Sequence, residues 1–191
     1  MTTTIAPPRM TFQEFRNMEL ADNDNFIYEL LNGNLVKRAS PSFNHQDVHA
    51  ELFARMRIFA SEKRLGKVVS APMDVFFDDG NCPQPDIVFI SSERSFIIEK
   101  GYINGAPDLI VEIISPGTGK NDRGIKKDLY ERYAVKEYWV IDPMNQTVEV
   151  FNMKENAYRL TCIQEAEGVV VSEVLAGFEI EVSTLFGLEK S

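Results

Sequence analysis

A single carboxylate interrupts the aliphatic run Leu109-Ile110-Val111-Glu112-Ile113-Ile114. The run is short and bounded by Pro107-Asp108 and Ser115-Pro116-Gly117, the pattern of a strand covered on both faces. An ionised carboxylate buried there costs several kcal/mol unless a cation or hydrogen-bond donors meet it. Asp86, after Pro85, opens the preceding apolar run Ile87-Val88-Phe89-Ile90. If the two strands are neighbours, about 4.8 Å apart, the pair can share a hard divalent cation such as Mg²⁺. Asp108 is a poorer partner: four residues from Glu112 on one strand places it roughly 13 Å away. Lys126 lies early in the next helical segment, where its ammonium can hold a nucleophile or stabilise charge developing on a phosphate. Tyr130 follows one turn later on the same face. Glu29, beside a turn nearer the start of the chain, is a further acid that can join them.

The elements that would position these groups can be read from the pattern. Thr11-Phe12-Gln13-Glu14 has the spacing of a capping box and opens a short helix with Phe12 and Phe15 inward. Asn32-Gly33 between the apolar runs 26–31 and 34–36 marks a hairpin. Asn44 is placed to cap a helix from about 45 to 64, with Val48, Leu52, Met56 and Phe59 at helical spacing and Gly66 ending it. Val69, Ala71, Met73, Val75 and Phe77 then alternate as one strand, before Asp78-Asp79-Gly80-Asn81 turns the chain. After the strands carrying Asp86 and Glu112 come a helix over about 122–134, a buried strand at 137–142, and short alternating strands to Leu185-Phe186. No repeat or linker divides the 191 residues, so a single domain over 1–191 is expected, with 1–10 as a flexible N-terminus.

Composition narrows the classes. With 44% hydrophobic and 26% charged residues the chain is an ordinary globular one. A net charge of −9 argues against coating nucleic acid non-specifically, although Lys120, Arg123, Lys126 and Lys127 form a local basic cluster. No apolar run approaches the roughly 20 residues of a membrane span, and Met1–Pro8 has neither a basic flank nor an apolar core. A cytoplasmic protein without membrane partners is expected. Cys82 and Cys162, far apart and without a CxxC partner, suggest neither a zinc cluster nor a disulfide framework.

In order and spacing, several of these segments resemble the Uma-two family, grouped with restriction endonucleases in the PD-(D/E)xK nuclease superfamily. The resemblance is carried by Pro85-Asp86, by Val111-Glu112-Ile113-Ile114-Ser115-Pro116, and by Lys126-x-x-x-Tyr130 followed by Glu137-Tyr138-Trp139-Val140-Ile141-Asp142-Pro143. Tyr28-Glu29-Leu30-Leu31-Asn32-Gly33 is similar to the family's YELxxG hairpin, and Ser40-Pro41 with His45 to its SP...H stretch. Ala176-Gly177-Phe178 and Leu185-Phe186 complete a likeness running from Thr11 to Phe186. It implies a restriction-endonuclease-like α/β core, a mixed central β-sheet flanked by helices, with additional C-terminal antiparallel strands.

The same resemblance implies a Mg²⁺-dependent endonuclease, with Mn²⁺ as a substitute, hydrolysing DNA phosphodiester bonds without an organic cofactor. Asp86 and Glu112 would ligate the metal, Lys126 would be the catalytic cation and Glu29 an auxiliary acid. His45, Gln84, Arg123 and Tyr130 are placed as substrate contacts, and cutting both strands would favour a homodimer. One departure stands out: the parent pattern has its lysine two residues after the acid, where this chain has Ile114. By resemblance the lysine comes instead from the next helix, as Lys126.

Two rivals follow from the residues. Glu112 and Lys126 could form an internal salt bridge in a catalytically silent module that binds nucleic acid or a protein partner. Alternatively, His45-Gln46-Asp47-Val48-His49 sets two histidines at i, i+4, as in zinc peptidases. Gln46 stands where such an enzyme needs its glutamate base, and these are the only histidines in the chain. That places His45 at the helix start or at the edge of the carboxylate site.

Overall fold

The computed structural model describes residues 9–19 and 26–188. Most of the expected flexible N-terminus lies outside the described residues; Met10, within them, donates its backbone N–H to Gly33 O at 2.9 Å.

Thr11 and Glu14 form the expected capping box on α1 (Phe12–Arg16), which buries Phe15. The hairpin follows as β1 (Ile27–Leu31) and β2 (Asn34–Arg38), paired antiparallel around Asn32 and Gly33. Both turn residues have positive φ, 52° and 74°, as a type I′ turn requires. The long helix α2 (Phe43–Glu62) begins earlier than expected, because Ser42 rather than Asn44 is its cap: the extended Ser42 accepts the His45 backbone N–H through its hydroxyl. The alternation expected as one strand over 69–77 is broken at Ala71-Pro72 into β3 (Gly66–Ser70) and β4 (Val75–Phe76). Proline has no N–H to give the ladder.

After β5 (Ile87–Ser91), a 3₁₀ turn (Ser92–Ile97) leads to β6 (Ile98–Glu99) and β7 (Tyr102–Asn104), which join β4 in a small sheet. The strand β8 (Leu109–Ile113) carries Glu112. The segment expected as one helix over 122–134 is a π-helical turn (Asn121–Lys126) running into α3 (Lys127–Arg132), which ends two residues before Ala134, whose φ is +55°. Then come β9 (Glu137–Asp142), β10 (Thr147–Lys154), β11 (Ala157–Glu165), β12 (Val169–Val171), β13 (Glu179–Glu181) and α4 (Val182–Leu185).

The central sheet has six strands in the order β11-β10-β9-β8-β5-β3. It is mixed: β8 and β9 run parallel, and the other neighbours are antiparallel. Parallel β8 and β9 need a crossover, and the π turn with α3 supplies it. One face, with Ile87, Val111, Ile113 and Trp139, packs on α2, α4 and the β12–β13 pair. The other, with Val88, Ile110, Tyr138 and Val140, packs on Leu129 and Tyr130 of α3 and on Leu31 of the hairpin. β8 is buried along its whole length. No helix among the described residues is long and apolar enough to cross a membrane.

Candidate active site

The register of β5 and β8 aligns two acids. Ile87 pairs with Val111 in this antiparallel ladder, so one step further Asp86 stands across from Glu112. Directly opposed side chains lie on the same face of a sheet with Cβ atoms about 5 Å apart. Alternation puts them on the face that carries Val88 and Ile110, the side where α3 packs. Asp86 Oδ2 accepts the Ile113 backbone N–H at 2.7 Å and lies 3.3 Å from His45 Nε2. Burial pushes its carboxyl pKa up, but His45, the charge of Arg38 and the Ile113 N–H outweigh that and hold it below the ordinary value.

The crossover brings the cation. The π-helical turn places Lys126 over Glu112, and its Nζ donates to both carboxylate oxygens at 3.0 Å. The same ammonium is 2.9 Å from Glu29 Oε1 and 3.6 Å from Asp122 Oδ1. Single-turn π segments inside helices recur at functional sites. Tyr130 donates its hydroxyl to Glu112 Oε1 at 2.6 Å.

The hairpin brings a second cation. Glu29 shares a strand face with Leu31, which packs in the α3-side core, and β1 is tied down by mutual backbone bonds between Leu30 and Cys82. Glu29 Oε1 accepts the Gln84 backbone N–H at 2.8 Å. Its Oε2 pairs at 3.0 Å with Arg38 Nε, and Arg38 Nη2 donates to Gln84 O at 3.1 Å.

Four buried carboxylates, of Glu29, Asp86, Glu112 and Asp122, therefore face two permanent cations, Lys126 and Arg38. Counted with all four acids ionised, the negative charges exceed the cations by two. Burial pushes the Glu112 carboxyl up to about 8 against the pull of Lys126, and the charges of Asp122, Asp86 and Glu29 add to the rise. Asp122 is raised as well, chiefly by burial, and its Oδ1 is buried without a hydrogen bond. Burial alone would lower the Lys126 pKa, but Glu112 and Glu29 outweigh it, so the ammonium stays charged. Hard oxygen donors with surplus negative charge suit a hard divalent cation. Among the described residues, however, no three His, Cys, Asp or Glu side chains converge on one point that could hold a metal. The ammonium occupies the centre of the acids.

Of the expected substrate contacts, the structure brings together two and sets two apart. His45 and Gln84 line a cavity of about 250 Å³ that opens onto Asp86, together with Arg38, Gln46 and Thr118. Tyr130 does not face it, because the side chain is fully buried behind Glu112. Arg123 is committed elsewhere, to Glu149 at 2.7 Å and Asp142 at 3.5 Å. Asp108 belongs to a separate cluster with Ser91 N, Arg94 and Lys136. His45 and His49 stack at 6.5 Å, but His49 Nε2 bonds the backbone oxygen of Asp86 instead of joining a ligand set.

Two members of the cluster were not singled out from sequence, and both left a trace there. Asp122 is four residues before Lys126, the spacing of a helical ion pair. Arg38 is a diagonal neighbour of Glu29 once the two-residue turn at Asn32-Gly33 fixes the register, Glu29 opposite Val36 and Ile27 opposite Arg38.

The model of the Uma2 family, described as "Putative restriction endonuclease", matches residues 12–183. Among solved structures, the chain is similar to a "putative nuclease belonging to DUF820" from Anabaena variabilis. The two share 20% identity over 93% of this chain and 98% of that one, with a TM-score of 0.75. No curated protein matches.

Proposed function

The chain belongs to the Uma2 family, and on that premise we propose that it is a nuclease that hydrolyses DNA phosphodiester bonds with Mg²⁺, or Mn²⁺ in its place. The observation that carries this reading is the buried excess of acid: Asp86 across from Glu112, within a set of four carboxylates that two fixed cations leave unbalanced. Mg²⁺ is commonly held by only one or two carboxylates, with waters and substrate phosphate oxygens completing its shell. Asp86 and Glu112 would hold it here, and the bound ion would supply an activated water and neutralise charge on the scissile phosphate.

The chain's own residues do the rest. The Ile113 N–H and His45 keep Asp86 ionised and fix its direction. Tyr130, itself fully buried, donates its hydroxyl to Glu112 and fixes that carboxyl. The Lys126 ammonium, kept charged by Glu112 and Glu29, is available to stabilise negative charge on phosphate oxygens as the bond breaks. A fixed donor of that kind is worth about 10²–10³ in rate. Arg38 balances Glu29 and leaves Lys126 less encumbered.

One observation favours a second reading. Lys126 already meets both oxygens of Glu112, as it would in a binding module whose acids are neutralised internally. The two are separated by incubating the purified protein with labelled single-stranded, duplex and supercoiled DNA in millimolar Mg²⁺ or Mn²⁺. The nuclease cuts at least one form, stops when the metal is chelated, and is silent as Glu112→Gln. No cleavage of any form by the wild type, or cleavage that survives Glu112→Gln, overturns the nuclease reading.

A further inference from the structure

A cation can reach Glu112 only by displacing a group already bound there. Glu112 Oε1 takes the Lys126 ammonium at 3.0 Å and the Tyr130 hydroxyl at 2.6 Å. Its Oε2 takes the same ammonium, also at 3.0 Å. A lysine ammonium has three donors. Two meet Glu112, and Glu29 Oε1 stands at 2.9 Å to take the third. None is left for Asp122, whose Oδ1 lies at 3.6 Å, just beyond hydrogen-bond reach. That oxygen is buried without a hydrogen bond among the described residues, on a side chain that is 1% exposed. Leaving a buried acceptor unmet is costly, and native proteins keep few of them.

The spare oxygen is placed where a displaced ammonium would need it. Glu29 is already engaged at both oxygens, by the Gln84 N–H and Lys126 on one and by Arg38 on the other. Asp86 Oδ2 is engaged by the Ile113 N–H and His45. Asp122 stands four residues before Lys126 on the same π-helical turn, so the flexible lysine stem can bring Nζ to it while the backbone stays in place. A divalent ion and an ammonium on the same two carboxylate oxygens would repel strongly in a buried site. Moved to Asp122, the ammonium keeps an anionic partner, as a buried charge must. The charges then close: four ionised acids are balanced by Lys126, Arg38 and one divalent cation.

We propose that Asp122 receives the Lys126 ammonium when a divalent cation takes Glu112, so that Lys126 closes the site in the metal-free protein and stands between Asp122 and Glu29 in the loaded one. Asp122 is then a positioning residue, acting through Lys126. The inference rests on the metal-dependent nuclease reading and adds how that site stays shut until the ion arrives.

The test joins crystal structures of the full chain, metal-free and soaked in Mn²⁺, to calorimetric titration of the wild type and Asp122→Asn with Mn²⁺. In the Mn²⁺-bound crystal Nζ should lie about 3 Å from Asp122 Oδ1 and have left Glu112. Asp122→Asn keeps the shape of the side chain and removes its charge. It should bind Mn²⁺ about tenfold more weakly, with no drop in the metal-free melting temperature, because Oδ1 has no hydrogen bond to lose. A purely structural ion pair gives the reverse, a lower melting temperature and an unchanged affinity, and overturns the hand-over. So does Nζ still resting on both Glu112 oxygens beside bound Mn²⁺, and in either case the nuclease reading stands. Wild type that binds no Mn²⁺ in the calorimeter or the crystal overturns that reading, and the hand-over with it. If Asp122→Asn does not fold, the Nζ distances in the two wild-type crystals decide.

Discussion

Replacing Lys126 by methionine keeps most of the aliphatic stem and removes the charge from the centre of the site. In the wild type that charge lies within 3.0 Å of Glu112 and 2.9 Å of Glu29, all fully buried. Removing one partner of a buried ion pair costs about 3–5 kcal/mol, because the acids left behind are neither solvated nor compensated. For a chain of this size that lowers the melting temperature by about 6–20 °C at neutral pH. The loss should depend on pH in a defined direction. Without the ammonium, the folded-state pKa of Glu112 rises further, since Lys126 is the group that pulls it down. Folding of the variant then takes up a proton over a wider range, so its deficit shrinks toward pH 5 and widens toward pH 8. Thermal unfolding followed by circular dichroism at both pH values reads the effect. A Lys126→Met protein melting within about 2 °C of wild type at pH 7.5 would refute the claim that this ammonium holds the acids together.

Three further outcomes follow. In the metal-free wild type, Glu112 binds its proton more tightly folded than unfolded, so the stability it contributes is full below about pH 4.5 and lost as the pH climbs to about 8; Glu112→Gln should flatten the melting temperature over that window. Asp86 has the opposite sign, its contribution disappearing only as the pH drops below its ordinary 3.8, so the two effects separate in a pH series of melting curves. Tyr130→Phe removes a buried 2.6 Å hydrogen bond to Glu112 and should cost about 1–3 kcal/mol in chemical denaturation, with cleavage slowed rather than abolished. Millimolar Mn²⁺ should raise the wild-type melting temperature and leave Asp86→Asn unmoved in the same scan.

Much of this site was legible before any coordinates. Glu112 stands out because a carboxylate in a two-face-buried strand must be met by something: Lys126 meets it, Asp86 stands opposite it, and Glu29 shares the same ammonium. Sequence alone did not show that Lys126 would bridge three acids at once. That depends on the π-helical turn at Asn121–Lys126, a backbone choice with no distinct residue pattern. Arg38 and Asp122 were legible in principle, through hairpin register and helical spacing. Neither stands out, because a charged residue on a short strand or a helix reads first as solvent-facing. Arg123 lies next to the site in sequence, but its guanidinium pairs with Glu149 and Asp142, a tertiary contact that no local spacing reveals. In the fold, the break at Pro72 and the small β4-β7-β6 sheet escaped detection because strands of two or three residues carry too few side chains to show a period.

Whether the four buried acids set against Lys126 and Arg38 can hold a divalent ion is read most directly by titration calorimetry with Mn²⁺. The wild type should bind Mn²⁺ with proton release as Glu112 gives up the proton its burial holds, so that the measured heat varies with the buffer's ionisation enthalpy. Asp86→Asn should lose the binding. Heat of dilution alone from the folded wild type at millimolar Mn²⁺, or identical isotherms for the wild type and Asp86→Asn, would contradict it.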